Sequence, residues 1–180
     1  MTIHAMLDLE TMGKSPGCVV THVAIVLFDP PNPTPLKTLH IHLSMTEQVK
    51  AGLTIDPSTI KWWLKQSNEA REIFKMDSYP ISSLIDYIDS MIDRDTYVWS
   101  HATFDIPILN SLLQAFGYRS PINYKKCMDI RTAQELYRIK YKRDAIADKV
   151  GIAHRAVDDC KSQINLICKI IGDLKNEHSK

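Results

Sequence analysis

The sequence predicts an α/β fold in which a mixed sheet opens with three antiparallel strands and continues through alternating helices and strands. Three observations support this. Apolar residues alternate with period two from Ile3 to Leu9 and two further strand-like runs follow. Five later segments carry apolar residues at three- and four-residue spacing, and short strand-like runs lie between some of them. With 180 residues, 44% hydrophobic and 24% charged, the chain has material for one sizeable core and no signature of disorder. One domain over 1–175 is expected, with a frayed tail over 176–180.

In the first strand Ile3, Ala5, Leu7 and Leu9 face one way, which puts Asp8 and Glu10 together on the other face. Gly13 to Gly17 reads as a turn, and Val19 to Phe28 as a second strand pairing with the first as a hairpin. Asp29 to Pro35 holds four prolines in seven residues and reads as a connection to a third strand, Leu36 to Leu43. Asp56-Pro57-Ser58 starts a helix from about Pro57 to Gln66, with Ile60, Trp63 and Leu64 at helical spacing. Ser82 to Ile92 is a second helix and Thr96 to Ser100 a short strand. Asp105-Ile106-Pro107 begins a third helix with the stripe Ile108, Leu109, Leu112, Leu113 and Phe116, and Gly117 ends it. Lys126 to Met128 is a short strand before a helix from Ile130 to Ile139. The last helix runs from near Ala156 to Leu174 on the stripe Val157, Cys160, Ile164, Ile167, Cys168 and Ile171.

The formal net charge of +1 excludes a polybasic, histone-like mode of binding. It conceals an asymmetry. Arg119 to Arg143 holds eight basic residues against Asp129 and Glu135, a segment of +6; fourteen basic and nineteen acidic residues remain elsewhere, or −5. Four cysteines without a C-x-x-C pair are expected to be reduced thiols rather than a zinc site. The start carries no leader-like pattern and no run of 18 apolar residues occurs, so a soluble cytoplasmic protein with no membrane partner is expected.

Two carboxylates on a strand often form nothing more than a solvated sheet face. Near the centre of a sheet, however, Asp8 and Glu10 would repel unless a cation sat between them, and a hard divalent ion suits oxygen donors. Asp105, just before a helix, reads as a helix cap, as a group facing the crevice at a strand end, or as both. His154 and Asp159 stand five apart, about 500° on a continuous helix, so they share a face only if His154 lies in the loop before it. Asp158 and Asp159 also suit an acidic first turn, and one of the two is expected to do only that.

Asp8-Leu9-Glu10-Thr11, Ser100-His101-Ala102-Thr103-Phe104-Asp105 and His154-Arg155-Ala156-Val157-Asp158-Asp159 resemble, in order, the three motifs of the DnaQ-like 3′-5′ exonucleases of the DEDDh branch. The likeness covers nearly the whole chain, whose element order is that of the family's ribonuclease-H-like fold. Ser58 to Trp63, Gln66-Ser67, Glu69 to Arg71 and Asp129 to Thr132 are further similar to phage DexA-type exodeoxyribonucleases and their bacterial relatives.

The resemblance implies a phosphodiester hydrolase releasing nucleoside 5′-monophosphates from 3′ ends. Asp8, Glu10, Asp105 and Asp159 would hold two divalent cations, Mg²⁺ or Mn²⁺, and His154 would be the general base. Asp159, not Asp158, meets the H-x-x-x-x-D spacing. Leu9, Thr11 and Met12 would meet the terminal nucleotide, Phe104 would stack on it or simply pack, and one of Trp62 and Trp63 would border the site, with Trp63 taken as the substrate contact. Arg131 recurs in the DexA-like match and would bind substrate, within a basic segment suited to tracking the strand. Single-stranded DNA is the expected substrate. An exoribonuclease with the same residues and, from another class, a silent nucleic-acid-binding domain are the alternatives. Self-association into a homodimer stays open.

Overall fold

A computed structural model of the protein describes residues 2–176. Strands β1 (His4–Thr11), β2 (Val20–Asp29) and β3 (Asn32–His42) form an antiparallel meander. Strands β4 (Tyr97–Ser100) and β5 (Cys127–Asp129) add in parallel on the other side of β1, giving the order β3-β2-β1-β4-β5. This is the mixed sheet the alternation predicts. It leaves β1 in the middle, the strand that carries Asp8 and Glu10.

Seven α-helices accompany the sheet among the described residues: α1 (Met45–Lys50), α2 (Pro57–Trp63), α3 (Asn68–Arg71), α4 (Ile81–Met91), α5 (Asp105–Ala115), α6 (Ile130–Tyr141) and α7 (Ala156–Asn176). The period-two pattern of the strands builds two apolar layers. One face, with Leu7, Leu9, Val23, Ile25 and Ile41, packs with Leu84 and Ile88 of α4 and Ile108, Leu109 and Leu112 of α5. The opposite face, with Met6, Ala24, Val26 and Phe28, packs with Ile130 and Tyr137 of α6 and with Cys160, Ile164 and Ile167 of α7. Cys160 and Cys168 are buried as their stripe predicts, and all four cysteines are free. Within that stripe Val157 and Ile171 are only partly buried, and Ile170 is buried in their company.

Three departures have physical causes. The proline-rich stretch does not remain a connection, because β3 begins at Asn32 and includes Pro33 and Pro35. It is an edge strand with that segment exposed, where a residue lacking an N–H costs no ladder bond. Helix α2 stops at Trp63 rather than Gln66, because Lys65 and Gln66 bond the carbonyls of Trp62 and Trp63, three residues back. The short α1 and α3 have no apolar stripe to announce them and rest on side-chain caps, Ser44 accepting from the Glu47 N–H and Ser67 from that of Ala70. In α1 the buried Gln48 amide also bonds both the N–H and the C=O of Val20, at 2.8 and 2.7 Å, fastening the helix to β2. Of the expected tail, Asn176 closes α7 and 177–180 lie outside the described residues. No helix among the described residues is long and apolar enough to cross a membrane.

Ile164 is fully buried where α7 crosses the sheet. Ile164→Ala should therefore cost about 2–5 kcal/mol, read as a lower urea midpoint at unchanged slope. An unchanged midpoint would mean that α7 is not anchored there.

Candidate active site

The parallel pairing of β1 with β4 brings Asp8 and Glu10, near the end of β1, to the same sheet end as the loop after β4. The start of α7, which packs across β1 and β2, completes a cleft of about 550 Å³. Asp8, Glu10, Asp105, His154 and Asp159 all line it, together with Leu9, Thr11, Phe104, Trp63 and Arg131. Met12 does not line the cleft. Its side chain is 8% exposed and packs in the core, the ordinary outcome for a methionine beside a strand.

Three of the four acids are held by neutral hydrogen-bond donors. Asp8 accepts from Gln163 Nε2 at 2.9 Å. Asp105 is the first residue of α5 and not its cap, since its Oδ2 accepts from the His101 N–H at 2.9 Å and so closes the loop in front of the helix. Asp159 Oδ2 accepts from the His154 N–H at 2.8 Å. Asp158 faces the loop, accepting from the Ile152 N–H at 3.1 Å and pairing with Lys161 at 4.0 Å; its carboxylate lies against Gly151, where a Cβ would fall 2.3 Å from Cγ at a backbone φ of +66°. His154 itself is in the loop with φ of 65°, and this left-handed turn lets a residue five positions before Asp159 share its site. One nitrogen of its ring and single carboxylate oxygens of Glu10 and Asp159 lie within 4.8 Å of one another.

Burial pushes Asp8 well above the ordinary carboxylate range, and the charges of Asp105 and Asp159 add to it while the Gln163 bond pulls it down. Glu10 is pushed well up by burial and then by Asp8, Asp159 and Asp105. Burial raises Asp105 to about 7 against the pull of the His101 and Leu9 N–H groups and of Arg131. Asp159 is raised by burial, with the His154 N–H pulling the other way. None of the four forms a salt bridge among the described residues. A largely buried group of oxygen donors, open to solvent through a cleft and without a protein cation in salt-bridge contact among the described residues, fits divalent cations of the hard class.

Trp63 is the core member of its pair, 3% exposed, with Nε1 donating to the Thr11 carbonyl at 3.0 Å. Trp62, 40% exposed, stands at the mouth with its ring edge-to-face to His154 at 4.8 Å between centroids. Asp129 explains its own appearance beside Arg131: it caps α6 through the Thr132 N–H at 2.8 Å and accepts from the Ala102 N–H at 3.0 Å. That ties the second motif to the helix carrying Arg131. The rest of the basic segment is not gathered at the cleft; Arg138 pairs with Glu135, and Lys126 lies over the Tyr97 ring.

Sequence reasoning missed Gln163 and Lys14, both in the cleft, and passed over Thr59. Gln163 could have been found, since it follows Asp159 by four residues and so shares its helix face. Lys14, in a turn, offered no periodicity.

Residues 3–171 match the model of the 3'-5' exoribonuclease Rv2179c-like domain. The chain belongs to that family. It is 29% identical over 129 residues to the Exodeoxyribonuclease of Enterobacteria phage T4, covering 61% of this chain and 55% of the phage protein, so it spans about half that relative's length. Among solved structures, a zinc-bound E. coli exonuclease I complex with single-stranded DNA superposes with a TM-score of 0.68 at 14% identity, over 98% of this chain and 41% of that one. The nuclease domain of 3'hExo, described as a DEDDh family member bound to rAMP, gives 0.60 at 13%, over 95% and 92%. Cell-death related nuclease 4 gives 0.68 at 13%, over 96% and 64%. These likenesses establish the DnaQ-like, ribonuclease-H-like fold of this Rv2179c-like domain.

The raised carboxylates give a test of the site without substrate. A folded-state value above the unfolded one means that the folded protein holds extra protons, so stability is lost as pH rises, for Asp105 from the unfolded value of 3.8 up to about 7. The depressed values of His22, His40 and His42 act in the opposite sense, which calls for a difference measurement. In EDTA, Asp105→Asn should gain stability over the wild type as pH rises from about 4 to about 7, by up to a few kcal/mol at ~1.4 per unit. Mg²⁺ should then favour the wild type. A variant equally less stable at every pH would show that the carboxylate is not under this strain.

Proposed function

We propose that the protein is a divalent-metal-dependent 3′-5′ exonuclease that releases nucleoside 5′-monophosphates from single-stranded DNA. The observation that supports this reading above others is the convergence of Asp8, Glu10, Asp105, Asp159 and His154, drawn from three distant segments, on one open cleft. DNA is favoured by the likeness to the phage Exodeoxyribonuclease.

Asp8, Glu10, Asp105 and Asp159 would hold the cations, and Mg²⁺ or Mn²⁺ suits their oxygens. When bound, such ions supply activation of the attacking water and neutralisation of charge on the phosphate and the leaving 3′ oxygen. His154 takes the proton from that water, its backbone held by Asp159 and its ring by Trp62. The Thr11 hydroxyl spends its proton on the Gly13 carbonyl at 2.7 Å, so its lone pairs accept from the terminal 3′-OH. Leu9 and Phe104 present apolar surface to the last nucleotide, while Arg131 and Lys14 meet phosphate oxygens. Trp63 acts from behind, through Thr11 and Trp62.

The second reading, an exoribonuclease with the same residues, is favoured by the description of the matching family. Oligomers of DNA and RNA labelled at either end separate the two. With Mg²⁺, 3′-labelled DNA should release labelled mononucleotide at once and 5′-labelled DNA should shorten stepwise. Turnover of RNA alone would overturn the DNA assignment, and EDTA-insensitive or 5′-first degradation would overturn the function itself. His154→Ala should slow cleavage by about 10²–10⁴-fold with the fold unchanged. Asp8→Asn should cost more, on the order of 10³-fold or beyond, and Gln163→Ala about 10–100-fold.

A further inference from the structure

On the sheet face that α7 covers, β2 and β3 carry His22, His40 and His42, with His22 opposite His42 and His40 opposite Ala24. One nitrogen of each ring lies within 4.8 Å of the others, and the ring centroids are 4.1, 4.2 and 5.2 Å apart. His22 is 0% exposed, His42 8%, and all four of their ring nitrogens lack a hydrogen-bond partner. A buried polar group left unpaired is costly, and here two stacked imidazoles bear that cost side by side. The nuclease chemistry uses none of the three.

Three converging imidazoles are the donor set of zinc and the neighbouring transition metals, as carboxylates are that of magnesium. We propose that His22, His40 and His42 form a second metal site, separate from the acidic cleft, for a borderline transition-metal ion such as Zn²⁺, which clips the edge strand β3 to β2. Buried His22 and His42 supply the inner ligands and exposed His40 the outer one, on the side where a water would complete the four-coordinate shell. Bonds of about 2.0–2.1 Å set nitrogens roughly 3.3 Å apart in a tetrahedral site, so the rings need only draw together. Burial, with the other two histidines and Arg155, keeps His22 far below the usual imidazole range and hence neutral, the form that coordinates. Arg155 and Lys161 oppose a cation here, while Asp158 acts on His40 in its favour. Glu10 stands opposite His22 across β1 and β2, so the clip braces the strand pair that carries a cleft carboxylate.

The test is metal content and melting temperature after equilibrium dialysis against micromolar Zn²⁺ in excess Mg²⁺. His40→Ala is the informative variant, since an exposed side chain is removed and the metal-free protein should melt as the wild type does. The wild type should retain one zinc more than His40→Ala and gain about 5 °C that the variant lacks, the size expected for a ligand well above its Kd. Asp159→Asn should keep that zinc. Equal zinc content and equal thermal shift in the wild type and His40→Ala would overturn the proposal, as would loss of the extra zinc in Asp159→Asn alone.

Discussion

Three buried carboxylates and a half-buried fourth, pressed together, are the constraint around which the rest of the chain is arranged. Burial disfavours the charged form of all four and repulsion adds to it at Asp8 and Glu10, and three of the four are kept in place by a hydrogen-bond partner. The partners are neutral: the Gln163 amide for Asp8, and the N–H groups of His101 and His154 for Asp105 and Asp159. A lysine or arginine in contact would have stabilised the folded state more, yet it would have competed with any cation for the same oxygens. Neutral donors fix direction while leaving charge unanswered. Stability is surrendered at the site and recovered in the two apolar layers beneath it.

The sheet topology is what makes that arrangement affordable. β1 is bounded on both sides, by β2 and β4, so its backbone is held independently of the charges it bears. α7 lies on β1 and β2 through small and branched side chains, Cys160 among them, with its sulfur near the carbonyls of Met6 and Ala24. Close approach there brings Asp159 and Gln163, one turn apart, onto the two acids of β1. The loop before α7 then folds back through Gly151 and the left-handed His154, and the aromatic pair Trp62 and Trp63 supports that histidine from the other side.

The elements that bury a periodic stripe were legible in the sequence, because the requirement to cover apolar surface writes itself at period two or 3.6. α4, α5 and α7 appear within two residues of where their stripes put them. The segments held by single polar bonds were not. α1 and α3 depend on the hydroxyls of Ser44 and Ser67, and the start of β3 on being an edge, none of which has a period. The site divides in the same way. Its charged members stand in spaced motifs, whereas Lys14 comes to the cleft by the path of a turn, Trp62 rather than Trp63 reaches the mouth by helix phase, and Met12 goes to the core. The three histidines of β2 and β3 were passed over for a related reason: register across two strands, not spacing along one, brings His22 beside His42.

The near-neutral net charge takes its meaning from this distribution. Among the described residues, the four carboxylates face only Arg131 and Lys14 as fixed cations within the cleft. While those carboxylates are ionised and bare, a phosphodiester at the same point is repelled, so neutralising them is a condition for the reacting end of a strand to settle. Of the Arg119 to Arg143 segment, +6 by its residues, Arg131 alone lines the cleft, and attraction from the rest acts from outside it, screened over about 8–10 Å. On the proposed function, a nucleic acid would be drawn to the surface by one part of the chain and admitted to the cleft by the charge state of another. The overall charge of +1 is then the sum of a +6 segment and −5 over the rest of the 180 residues, not a sign of electrostatic neutrality at any one place.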